Sequence, residues 1–177
     1  TEAAGLKAKW FPSVHLTTGD VNDDGYPDIF VSVIGNNQLY INQGDGTFTE
    51  EGVARGGTGP TPMGFGSWMF DYDNDADLDL YVVNGGLDWT FQLSRYSYAP
   101  NIFYLNNGDG HFVDVTDELE VGDTFGGRGL AVGDLDGEFI VVDVAEQPGA
   151  TSKICPPMRY RCRNRRAKFR RPSPMTN

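Results

Sequence analysis

Apolar residues recur along this chain in short runs of period two, separated by clusters of Asp, Asn and Gly. Between residues 63 and 119 the runs are Phe65 to Phe70, Leu78 to Val83, Ile102 to Leu105 and Phe112 to Val115. Alternation over a few residues, bounded by turn formers, marks half-buried β-strands. The last two runs are joined by Asn106-Asn-Gly108-Asp109-Gly110, a hairpin turn in which glycine supplies the positive φ. The same order occurs earlier, with Leu39-Tyr-Ile, Asn42-Gln-Gly44-Asp45-Gly46 and Phe48. One unit is therefore expected over Val14 to Val53, a second over Met63 to Leu119, and the start of a third at Gly126. Helical periodicity is sustained nowhere.

Four short antiparallel strands per unit make one blade of a β-propeller, and the unit spacing suits repeats of roughly 40 to 60 residues. The expected fold class is all-β, a partial propeller of four-stranded antiparallel blades. Propellers close with about four to eight blades. Two blades and a beginning, in a chain that starts at Thr1, thus read as a fragment of a longer repeat protein. Apolar residues such as Ile29, Val31, Leu80 and Val82 then need neighbouring blades to cover them. The repeat region is placed at residues 1–136. Residues 137–177 are read as a divergent basic tail, disordered or out of frame, because the repeat pattern stops at Glu138.

Chemistry enters with the segment that precedes the second strand of each unit. Asp20-Val-Asn22-Asp23-Asp24-Gly25-Tyr26-Pro27-Asp28 returns as Asp71-Tyr-Asp73-Asn74-Asp75-Ala76-Asp77-Leu78-Asp79. Oxygens at relative positions 1, 3, 5 and 9, with a main-chain carbonyl at 7, are what a hard cation such as calcium takes from one loop. The ligands would be Asp20, Asn22, Asp24, the Tyr26 carbonyl and Asp28, then Asp71, Asp73, Asp75, the Asp77 carbonyl and Asp79. An EF-hand needs Glu at position 12, where Val31 and Val82 stand, and a strand rather than a helix follows each loop. An ordinary solvated acidic turn is the alternative. Ala76 replaces Gly25 at position 6; if a left-handed residue is required there, Ala costs about 1 kcal/mol. A third copy, Gly133-Asp134-Leu135-Asp136, has Val142 at position 9, so Asp134 and Asp136 read as a degenerate site. Asp45 and Asp109 fit turn chemistry better than metal ligation.

The net charge of -11 conceals an asymmetry: no Asp or Glu follows Glu146, whereas nine of the fourteen Lys and Arg lie from Lys153 onward. The repeat body suits divalent cations and disfavours nucleic acid, while the tail could bind polyanions through charge. No apolar run reaches membrane-spanning length. Cys155 and Cys162 both lie in the tail and form no recognisable zinc pattern. The histidines, His15 and His111, stand beside no nucleophile-and-base set.

These units resemble FG-GAP, or VCBS, repeats, the calcium-binding blades also found in integrin alpha-subunit propellers. The closer likeness is to secreted proteins of the cartilage acidic protein and ASPIC/UnbV group, through Gly64-Phe-Gly66, Phe70 to Asp75, Leu78 to Asn84 and Pro100 to Gly110. The resemblance implies a seven-bladed propeller, calcium in the two acidic loops at Asp20–Asp28 and Asp71–Asp79, and an extracellular or cell-surface setting with a protein or glycan partner. The leading reading is a structural and binding module. The alternative is part of a secreted propeller enzyme, a lyase or hydrolase, whose catalytic residues lie outside this chain. For the module, the candidate partner surface is the insertion from Gly85 to Tyr98, with Trp89, Phe91, Arg95, Tyr96 and Tyr98; such residue types anchor interfaces but also pack beneath long loops.

Overall fold

The computed structural model describes residues 3–6, 13–33, 35–59, 64–85, 100–122, 127–135, 138–145 and 153–155. Each alternating run forms a strand. The first sheet contains β1 (Ser13–Gly19), β2 (Asp28–Val33), β3 (Gln38–Asn42) and β4 (Phe48–Glu50), in that spatial order and antiparallel throughout. The second repeats it with β5 (Gly64–Phe70), β6 (Asp79–Asn84), β7 (Ile102–Asn106) and β8 (Phe112–Asp114). Both open with an irregularity at the same place, between Ser13 and His15 and between Gly64 and Gly66. One helical turn, α1 (Thr116–Leu119), follows β8. Among the described residues the architecture is nearly all-β, with two four-stranded antiparallel blades.

The blades stack face to face, as the alternation requires. Phe30, Leu39 and Ile41 of the first blade pack with Met69, Leu80, Val82, Tyr104 and Phe112 of the second in one apolar layer. Phe30, Leu39, Leu80 and Val82 are completely buried, and burial of each such side chain contributes about 1.5–3 kcal/mol. On the opposite face of the second blade, Phe70, Tyr81, Val83 and Phe103 pack with Leu130 of the next sheet. The Phe103 ring meets Phe70 edge-on at 5.9 Å and Tyr72 at 5.0 Å. All six residues of β6 are buried because that strand has a neighbour on each face. Ile29 and Val31, on the far face of the first blade, are only half-buried. First strands succeed one another, β1 against β5 and β5 against the first strand of the third sheet, and His15 Nδ1 accepts from the Ser67 backbone N–H at 3.3 Å.

A segment ahead of each blade clasps its outermost strand. Phe48 N–H donates to the Ala4 carbonyl at 2.8 Å, and Phe112 N–H to the Arg55 carbonyl at 2.7 Å. Gly5 (φ 76°) and Gly56 (φ 74°) follow those carbonyls. A Cβ on either would collide with the Phe48 or Phe112 carbonyl oxygen.

The third sheet departs from the repeat. Its strands β9 (Gly127–Leu135), β10 (Glu138–Ala145) and β11 (Lys153–Cys155) are antiparallel in the order β11-β10-β9. Leu135 pairs with Glu138 and Val132 with Val141, so this hairpin runs through the boundary that composition places after residue 136. Residues 20–27 and 71–78 connect the first two strands of the earlier blades, whereas only residues 136–137 separate β9 from β10. Asp134 lies in β9 opposite Phe139, inside a ladder rather than in an acidic loop. The apolar run Phe139 to Val142 carries β character past the point where the repeat motif ends.

Candidate metal centre

Both acidic loops adopt one hydrogen-bonded conformation. In the first, the Asp20 carboxylate accepts from Asp24 N–H at 3.2 Å and Gly25 N–H at 2.7 Å. In the second, Asp71 accepts from Asp75 N–H at 3.1 Å and Ala76 N–H at 3.2 Å. Position 5 repeats as well: Asp24 accepts from Tyr26 N–H at 2.9 Å and Asp75 from Asp77 N–H at 3.0 Å. Asp23 and Asn74 sit at φ 56° and 63°, and Gly25 and Ala76 at 88° and 79°. The left-handed turn at position 6 is thus required, and Ala76 occupies it with a Cβ.

Position 9 is the first residue of a central strand, which buries it. Asp28 and Asp79 are both 0% exposed. Asp28 accepts from Val21 N–H at 3.0 Å and Asn42 N–H at 2.8 Å. Asp79 accepts from Tyr72 N–H at 2.8 Å and Asn106 N–H at 2.9 Å. Desolvation pushes the Asp28 carboxyl above its ordinary value, and it pushes Asp79 up to about 7 despite those two donors. Burial also raises Asp73, with the adjacent Asp75 charge adding to it. Asp77 rises through desolvation and the charges of Asp75, Asp23 and Asp71, so the first loop contributes to the field at the second. A buried carboxylate crowded by neighbouring carboxylates is costly, and a bound cation removes that cost.

The residues present fit such an ion. One carboxylate oxygen from each of Asp71, Asp73 and Asp79 lies within 4.8 Å of the others, a span that calcium bridges with oxygens at about 2.3–2.6 Å. Position 3 supplies an independent mark: Asn22 Oδ1 and Asp73 Oδ1 are buried oxygens with no hydrogen-bond partner. Buried polar atoms normally find partners, and the same position is orphaned in both loops. In the first loop Asn22 Nδ2 donates to Asp24 at 2.9 Å, which directs its amide within the loop. Tyr26 is 48% exposed, with its ring over Gly44, where a Cβ would lie 2.6 Å from Tyr26 Cε2.

Other candidates separate from this set. The Asp45 carboxylate accepts from Thr47 N–H at 2.9 Å and Thr47 Oγ1 at 2.6 Å, and Asp109 from His111 N–H at 3.1 Å. Those bonds lower both carboxyls and commit them to their turns. Asp136, Trp89, Phe91, Arg95, Tyr96 and Tyr98 lie outside the described residues. The repeated asparagine that opens each Gly-Asp-Gly turn was legible only as turn chemistry. In the fold Asn42 Nδ2 donates to the Pro27 carbonyl at 3.0 Å and Asn106 Nδ2 to the Leu78 carbonyl at 3.1 Å, bracing the end of each loop. Its recurrence two residues after a strand tyrosine, Tyr40 in one blade and Tyr104 in the other, is the available signal.

No helix among the described residues is long and apolar enough to cross a membrane. No curated protein matches the chain. Residues 20–82, running from the first carboxylate of one acidic loop through the second loop and into the strand behind it, are similar to the FG-GAP-like repeat.

Proposed function

We propose that this chain is a calcium-stabilised propeller module of an extracellular or cell-surface protein, which binds other macromolecules and is not itself an enzyme. The observation that carries the reading is the repeated loop: a buried position-9 carboxylate and an unpartnered position-3 oxygen in both blades. Asp20, Asn22, Asp24, Asp28 and the Tyr26 carbonyl would hold one ion; Asp71, Asp73, Asp75, Asp79 and the Asp77 carbonyl would hold the other. Calcium supplies positive charge that offsets the carboxylates and ties each loop to its central strand. The motifs from Gly64 to Gly66 and Pro100 to Gly110 support placing the chain near the cartilage acidic protein and ASPIC/UnbV group.

On this reading the insertion with Trp89, Phe91, Arg95, Tyr96 and Tyr98 contacts a protein or glycan, and the basic segment from Lys153 binds polyanions. Calcium titration of the full chain, by calorimetry and thermal unfolding, tests the proposal. Calcium should raise the unfolding temperature, and Asp20→Ala combined with Asp71→Ala should abolish both heat and shift. A parent chain indifferent to calcium would sink the reading. Heparin binding that survives truncation after Gly149 would remove the polyanion role from the tail.

A further inference from the structure

One side chain touches both acidic loops. Asn106 ends β7 and is 3% exposed. Its Nδ2 donates to the Val21 carbonyl at 2.7 Å and to the Leu78 carbonyl at 3.1 Å, while Oδ1 accepts from Gly108 N–H at 3.1 Å and Gly110 N–H at 3.0 Å. Both donors and both acceptor sites of the amide are thus in use. Its backbone N–H donates to Asp79. The Val21 carbonyl belongs to the peptide leading into Asn22, and the Leu78 carbonyl to the peptide leading into Asp79. Asn106 therefore fixes the peptide unit of a position-3 ligand in one blade and of a position-9 ligand in the next.

Close packing reinforces this bridge. A Cβ on Gly110 would stand 3.1 Å from Asn22 Cβ and 2.7 Å from an Arg55 guanidinium nitrogen, and one on Gly19 2.6 Å from Leu78 Cδ1. Arg55 in turn donates to the Asp109 carbonyl at 2.9 Å and pairs with Glu51 at 2.8 Å. The turn that holds Asn106 has little freedom to move without moving the first loop. Asn42, the equivalent residue of the first blade, makes the bonds to its own loop and is more exposed.

We propose that Asn106 is a positioning residue that couples the two cation loops, so that an ion in the second loop raises the affinity of the first. This rests on the calcium reading of the loops. An ion in one loop orders its ligands, the order passes through a buried amide to the neighbouring loop, and that loop then loses less freedom on binding. Direct repulsion between the two ions acts with the opposite sign, so the amide's share must be read as a difference between backgrounds.

The test is a double-mutant cycle on the full chain, with first-loop calcium affinity measured by calorimetry. With Asn106 present, Asp71→Ala should weaken the first loop roughly three- to tenfold, the worth of one buried hydrogen bond. In the Asn106→Ala background the loss should be at least about threefold smaller; the charge removed is identical in the two backgrounds, so its direct effect cancels in their ratio. Equal losses in both backgrounds would overturn the coupling while leaving the calcium reading intact, and a parent chain without calcium heat would overturn both. Should Asn106→Ala fail to fold, NMR of the Asp24→Ala chain decides. Calcium filling the second loop should shift the Asn22 amide and the Asn106 side-chain amide over one titration curve, and a stationary Asn22 amide refutes the proposal.

Discussion

Exchanging the position-6 residues of the two loops probes a cost that is visible in the backbone. Ala76 holds φ 79° and Gly25 φ 88°. An L-residue in the left-handed region loses about 1–2 kcal/mol relative to glycine. Glycine gives back about 0.4–1 kcal/mol through its freer unfolded chain. Ala76→Gly should therefore stabilise the protein by up to about 1 kcal/mol, and Gly25→Ala should destabilise it by a similar amount. Packing adds nothing to the second change, because a Cβ at Gly25 meets no atom within 4 Å. The strain has a geometric trace: the bond from residue 6 to the position-1 carboxylate is 2.7 Å at Gly25 and 3.2 Å at Ala76. Differential scanning fluorimetry in chelator should show shifts of opposite sign, about 2–4 °C for a chain of this size. Calorimetry then shows how much of the cost enters calcium affinity, which depends on how far the loop keeps its turn without the ion. If both substitutions are neutral, or if Ala76→Gly destabilises, the left-handed turn is not a source of strain, and Ala76 gives no reason for the second loop to bind calcium more weakly than the first.

The buried carboxylate also sets a pH dependence. Asp79 titrates near 7 in the fold and near 3.9 when unfolded, so its proton is held more tightly in the folded state. Its contribution to stability in chelator is complete below about pH 3.9 and is lost as pH rises through about 7. Asp79→Asn should flatten that window in urea melts, and an unchanged profile would show that desolvation does not govern this group. Gly56→Ala should cost at least about 1–2 kcal/mol, because it adds a left-handed penalty to a collision with the Phe112 carbonyl oxygen. A thermal midpoint equal to the parent's would mean that the clasp on β8 is not part of the folded core.

Local chemistry determined much of this protein. Period-two alternation placed β5 to β8 to within a residue or two, since each strand's two faces see different surroundings and that contrast is written along the chain. The 1-3-5-9 oxygen spacing placed both loops, and the Gly-Asp-Gly turns followed from the need for positive φ. All of these signals act over fewer than ten residues. What the loops do with their oxygens was settled by packing. Asp28 and Asp79 lose water because their strands are central, and Asn22 Oδ1 and Asp73 Oδ1 are left without donors by the closed loop around them. The boundary after residue 136 was drawn from a motif that stops, but strand pairing depends on partners, and β9 found one in β10 beyond that point. The bond from Asn106 to the Val21 carbonyl joins residues 85 apart; no local pattern contains it, because only the face-to-face stacking of two blades brings that turn against that loop.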